Sequence, residues 1–158
     1  MGKVKWSTYA EIFINLEESD SKTYKVVTTN AESRKTINES AIYWVCFKDC
    51  TIPRIAGEDS DGTLVIGQAK KLEVRFSQFV SGVAKAVGHS EANLLHYLFW
   101  KSRSFSNKYI GKKIMFYYLL TPEKDLDEKE RYNIIWYIKQ YGEPPLLNRS
   151  IPNRYGDW

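Results

Sequence analysis

Side chains suited to holding a polyanion cluster in this 158-residue chain. Lys70, Lys71 and Arg75 share one short stretch, Lys101, Arg103, Lys108, Lys112 and Lys113 form a second, and Arg149 and Arg154 follow near the C-terminus. A lysine offers phosphate a point charge, whereas the planar guanidinium of Arg75 offers a two-pronged donor fork. Taken alone, each of these clusters reads as an ordinary solvated basic face. One acidic position adds to them. In the helix expected from about Leu126 to Tyr141, the apolar stripe is Ile134, Tyr137, Ile138 and Tyr141. Helical rotation puts Glu130 close to this stripe and Glu128 well away from it. An inward carboxylate is costly unless paired or cation-bound, and Mg2+ commonly takes one protein carboxylate with waters and substrate phosphate.

The remaining sequence must supply a frame for these groups. Ser7 to Glu18 reads as an N-terminal helix capped by Ser7 or Thr8, and Thr23 to Thr29 as a strand. A polar stretch, Asn30 to Ser40, leads to Ala41–Phe47 (AIYWVCF), whose aromatic and β-branched character predicts a buried strand with Tyr43, Val45 and Phe47 on one face. The Asp61-Gly62 turn signal precedes Thr63 to Ile66, an expected antiparallel partner. From Lys70 the period becomes helical, with Leu72, Phe76, Phe79, Val80 and Val83 on one stripe. Arg75 lies about 90° from its centre. Gly88 ends that helix, and Ser90 with Asn93 opens another. Lys113 to Leu120 reads as a third strand, stopped by Thr121-Pro122, and Gly142 with Pro144-Pro145 closes the final helix.

The expected class is α/β (α+β), a small, mostly antiparallel three-stranded sheet flanked by helices. Residues 1–40 form an N-terminal helix and strand extension packed on a domain over 41–148, and 149–158 a tail. Apolar residues make up 43% and charged residues 27%, which excludes a disordered chain. No apolar run is long enough to span a bilayer, so a cytoplasmic protein without membrane contact is expected. Cys46 and Cys50 are too few to staple a secreted domain and read as packing thiols. The net charge of +4 favours a polyanionic partner weakly.

Ala41-Ile42-Tyr43, Val65-Ile66-Gly67 and an arginine ten positions after Val65, Arg75, together with Pro144-Pro145-Leu146-Leu147-Asn148, resemble the signature of the GIY-YIG nucleases. Three departures stand out: Ala41 replaces the first glycine, Val65 the second tyrosine, and the intervening loop is long and acidic (GEDSD). The resemblance implies an endonuclease cutting DNA phosphodiester bonds at a single Mg2+ or Mn2+ site. Its catalytic residues would be Tyr43, Arg75, Glu130 and Asn148, with Glu130 the metal ligand.

In that scheme Tyr43 orients or deprotonates the attacking water, Arg75 grips phosphate oxygens, and Asn148 holds the final segment or touches phosphate. Lys70 and Lys71 compensate for the hydroxyl missing at Val65 or bind the DNA backbone, as would Lys108, Lys112, Lys113 and Arg149. His89 reads as a surface histidine at a helix end, with assistance in proton transfer as the other reading. DNA is the expected partner ahead of RNA, and a homodimer is compatible with cutting both strands. Two other readings remain: a degenerate relative that binds DNA or RNA without cutting, and an unrelated scaffold with an accidental motif match. Convergence of Tyr43, Arg75 and Glu130 in one concave site discriminates among them.

Overall fold

Ala41–Phe47 buries both of its faces, and the molecule is layered around it. In the computed structural model, which describes residues 5–16, 24–29 and 37–148, this segment is an inner strand of a five-stranded, wholly antiparallel sheet. The strands are β1 (Ser7–Leu16), β2 (Tyr24–Thr29), β3 (Ala41–Phe47), β6 (Thr63–Ala69) and β7 (Ile114–Leu120), in the order β2-β1-β7-β3-β6. A separate small hairpin, β4 (Ile52–Arg54) and β5 (Gly57–Asp59), occupies the connection from β3 to β6. The helices are α1 (Leu72–Lys85), α2 (Ser90–Lys101), α3 (Arg103–Tyr109) and α4 (Leu126–Tyr141).

Period-two alternation divides the core in two. Tyr43, Val45 and Phe47 pack with Phe76, Phe79 and Val83 of α1 and Leu95 and Phe99 of α2. Ile42 and Ile66 face the other way, against Leu126, Ile134 and Tyr137 of α4. Each fully buried large apolar side chain contributes about 1.5–3 kcal/mol. Phe116 of β7 lies at the centre of the first cluster, with the rings of Tyr9, Tyr43, Phe76 and Phe79 between 5.2 and 6.0 Å from its own.

The structure is mixed α and β, as expected, but not with three strands. Ser7–Leu16 is a strand where the sequence suggested a helix. Ala10, Ile12 and Ile14 are buried and alternate with half-buried Glu11 and Phe13, a period of two that the capping-like Ser7-Thr8 pair obscured. A register shift between Thr8 and Ala10 makes Tyr9 the extra residue of a bulge, so that it too turns into the core. With β2 beside it, β1 extends the central sheet instead of merely packing on it. The 103–109 helix was not foreseen; Ser102 caps it by accepting from the Phe105 N–H at 3.3 Å.

Two local devices fix the side of the sheet where the candidate residues lie. Edge strand β6 is closed by the segment after α4. The Leu147 N–H donates to the Leu64 carbonyl at 2.8 Å. The Asn148 amide accepts from the Ile66 N–H at 3.1 Å and donates to its carbonyl at 2.9 Å. The acidic loop, for its part, is folded around Asp59, which is fully buried. Its carboxylate accepts from the N–H groups of Asp61 and Thr63 and from the Tyr137 hydroxyl, at 2.9, 2.9 and 2.7 Å. Gly62 adopts a positive φ of 63°, and a Cβ there would lie 2.4 Å from the Phe47 carbonyl oxygen.

Asp59→Ala leaves two buried donors, the Thr63 N–H and the Tyr137 hydroxyl, and the more exposed Asp61 N–H without their acceptor. The expected cost is about 3 kcal/mol, read as a lower denaturant midpoint at unchanged slope. A loss under about 0.5 kcal/mol would mean that water replaces the carboxylate.

Candidate functional site

Gly67 stands opposite Tyr43 in the β3–β6 ladder, and a Cβ there would lie 2.3 Å from both Cζ and the hydroxyl oxygen of Tyr43. Only a hydrogen at that position allows the ring to lean across β6, the sheet's outermost strand. Phe116 stacks on the tyrosine from behind, 5.2 Å away and inclined by 18°. The phenol oxygen thereby reaches the border between the two layers of helices.

The Tyr43 hydroxyl meets His89 Nε2 there at 3.0 Å. His89 is 2% exposed, against the expectation of a surface histidine. It is the N-cap of α2, with Nδ1 3.4 Å from the Ala92 N–H and 3.2 Å from a Glu91 carboxylate oxygen. Ser90 Oγ donates to the same oxygen at 2.7 Å. Burial pushes the Glu91 carboxyl up, but the hydrogen bonds to His89, to Ser90 and to its own backbone reverse this and hold it at about 2.

From the opposite side, α4 presents Glu130, half-buried, while Glu128 is exposed, as helical rotation predicted. Gln68 of β6 joins Glu130 to the strand: its amide nitrogen donates to a Glu130 oxygen at 2.6 Å and to an Asp127 oxygen at 2.8 Å. Burial raises the Glu130 pKa above the ordinary carboxylate value, with Asp127 and Glu91 adding to this and Gln68 and Arg75 opposing it. Two carboxylates sharing one neutral donor have the donor chemistry of a partial cation site. Among the described residues no group of three metal-ligating side chains occurs, so a cation here would complete its shell with water and substrate oxygens.

Arg75, in the first turn of α1, exerts its field on both Tyr43 and Glu130. Among the described residues its guanidinium has no hydrogen-bond or ion-pair partner. It lines an open groove of about 540 Å³ with Gln68, Lys70, Lys71, Gln78 and Asp127. Tyr43, Arg75 and Glu130 thus act on one another electrostatically from three elements, although neither Tyr43 nor Glu130 lines the groove that Arg75 borders. Val65 packs in the core opposite Val45, supplying no hydroxyl. Asn148 gives its amide to the Ile66 backbone, which matches the expected holding of the final segment.

The second basic stretch lies elsewhere. Ile114, next to Lys113, pairs with Phe47, four residues along β3 from Tyr43 and so roughly 14 Å away. Lys113 approaches Glu11 at 3.5 Å and Lys108 lies over the Tyr109 ring. Arg149 is outside the described residues. Glu91, Gln68 and Asp127 were not singled out from the sequence. Glu91 is an ordinary first-turn helix residue by type, and only the fold puts it against an imidazole that faces a phenol.

No family model, curated protein or solved structure matches this chain. Among the described residues no helix is long and apolar enough to cross a membrane.

Burial raises the Tyr43 pKa well above the phenol's usual value of about 10, with Glu91 and Glu130 adding to the effect and Arg75 opposing it. The neutral phenol is therefore the folded form. Its contribution to stability is complete below about pH 10 and declines as pH rises through the folded pKa. The denaturant midpoint should fall above about pH 10, and less steeply in Tyr43→Phe; identical slopes would show Tyr43 to be less enclosed. Gly67→Ala should displace the tyrosine ring and cost about 1–3 kcal/mol, with loss of the Tyr43–His89 contact in NMR spectra; an unperturbed contact would contradict the close approach.

Proposed function

We propose that this chain is a divergent relative of the GIY-YIG nucleases, a divalent-metal-dependent endonuclease that hydrolyses DNA phosphodiester bonds. The observation that supports this reading is that Arg75, in a groove it lines with Lys70 and Lys71, acts electrostatically on both Tyr43 and Glu130.

Glu130, with Asp127 beside it, would hold the Mg2+ or Mn2+ ion, which when bound polarises the phosphate and neutralises charge on the leaving oxygen. Arg75 forks onto the phosphate oxygens and gains strength as charge develops on them. Lys70 and Lys71 take the neighbouring phosphates, a contact that weakens with salt. Tyr43 directs the attacking water through its hydroxyl. DNA is the substrate expected ahead of RNA. A homodimer would place two such sites for cutting both strands.

A second reading, binding without cleavage, is favoured by one observation: Tyr43 is 3% exposed and held neutral, and Val65 provides no second phenol. Magnesium-dependent nicking of supercoiled DNA separates the two. Under the nuclease reading, Glu130→Gln lowers kcat about 100-fold, whereas Glu128→Gln leaves it unchanged. Arg75→Lys should reduce cleavage far more than binding, because the charge remains and the fork is lost. DNA binding without nicking by the parent would select the binding reading, and normal nicking by Glu130→Gln would remove the metal role of that residue.

A further inference from the structure

A neutral, buried phenol cannot take a proton from water unless its own proton has somewhere to go. The receiver present in the structure is His89 Nε2, 3.0 Å from the Tyr43 oxygen. Whether Nε2 can receive depends on which ring nitrogen already carries hydrogen, and hydrogens are inferred from the surrounding network. Two groups compete for Nδ1. The Ala92 N–H, 3.4 Å away, would require a bare nitrogen, and the Glu91 carboxylate, 3.2 Å away, would require N–H.

The carboxylate has the stronger claim. A backbone N–H at 3.4 Å makes at most a long, weak hydrogen bond. A carboxylate against a nitrogen lone pair is repulsive, whereas against N–H it forms a charge-assisted bond. Ser90 Oγ fixes the same carboxylate oxygen at 2.7 Å, so Glu91 is held in place. With hydrogen on Nδ1, Nε2 is bare and faces the tyrosine hydroxyl.

We propose that Glu91 is a positioning residue that fixes His89 with its proton on Nδ1, so that Tyr43, His89 and Glu91 form a proton relay serving the candidate site. Its catalytic half rests on the nuclease reading above. As water attacks phosphorus, a water proton passes to the Tyr43 oxygen and the Tyr43 proton passes to His89 Nε2. The bond from phosphorus to the leaving oxygen breaks, its electron pair remaining on that oxygen. The imidazolium, neutralised by Glu91, then gives its proton to solvent, and the leaving oxygen takes one from solvent. The charged side chains that act on the phenol are Glu91 from α2, Arg75 from α1 and Glu130 from α4. Arg75 favours the transient loss of the phenol proton, and the two carboxylates oppose it.

The test uses the full chain labelled with 15N-histidine and a cleavage assay in parallel. The parent His89 should show hydrogen on Nδ1 and a bare Nε2, and Glu91→Gln should shift the tautomer population toward Nε2–H with the melting curve little changed. In cleavage, Glu91→Gln should lower kcat about tenfold or more with little change in KM. That loss should disappear in a His89→Gln background, because the two act as one unit. A parent His89 protonated on Nε2 overturns the proposal even if no variant folds. So does a cutting parent whose kcat is unaffected by Glu91→Gln. If the parent binds DNA but never cuts, the nuclease reading and the relay's catalytic half fall together, and the tautomer separately upholds or overturns the positioning by Glu91.

Discussion

The absence of a Cβ at Gly67 governs much of what the candidate site is. A tyrosine in an inner strand ordinarily stands up from the sheet into the helix layer, and its hydroxyl must find a partner there or be unsatisfied. Here the neighbouring strand has a gap at the opposed position, and Tyr43 leans through it with Phe116 stacked behind. The phenol oxygen meets His89 at the start of α2 and lies in the fields of Arg75 from α1, Glu91 from α2 and Glu130 from α4. Any side chain at 67 would separate the hydroxyl from this gathering.

Polar contacts also hold the elements around that position. Edge strand β6 presents backbone groups that would otherwise be free to pair with another chain, and Asn148 and Leu147 occupy them. The acidic loop that distinguishes this sequence from the pattern it resembles closes on a buried carboxylate, Asp59, which ties the β4–β5 hairpin to Tyr137 of α4. Arg54 from the same hairpin reaches Glu143, at 3.0 Å, just beyond the end of α4. The loop's acidic character is therefore partly structural. It sets the seating of the helix that carries Glu130.

Electrostatically the site is mixed, with Arg75, Lys70 and Lys71 on one side and Glu91, Asp127 and Glu130 on the other. Such balance differs from a uniformly basic binding face, where carboxylates would repel phosphate at close range. It suits a centre in which one carboxylate holds a cation and another fixes an imidazole. Lys108 and Lys113, at the far end of the sheet, can act on a long polyanion but not at this centre.

The sequence by itself determined the β3–β6 hairpin, the helix after it, the limits of α4 and the inward rotation of Glu130. Each depends on a short-range period of two or 3.6 and on local stop signals such as Gly142 and Pro144-Pro145. It also singled out Tyr43 and Arg75 through motif spacing, and Glu130 through its rotation on the final helix. It misjudged Ser7–Leu16, since local capping signals imitate a helix start and only pairing with β2 and β7 makes that segment a strand. The burial of His89, which it read first as a surface histidine, and the part of Glu91 were beyond its reach for a different reason. Whether a histidine at a helix start meets solvent or a phenol depends on how α2 lies against the sheet, which is decided by packing among residues distant in the chain, and no local pattern encodes that distance.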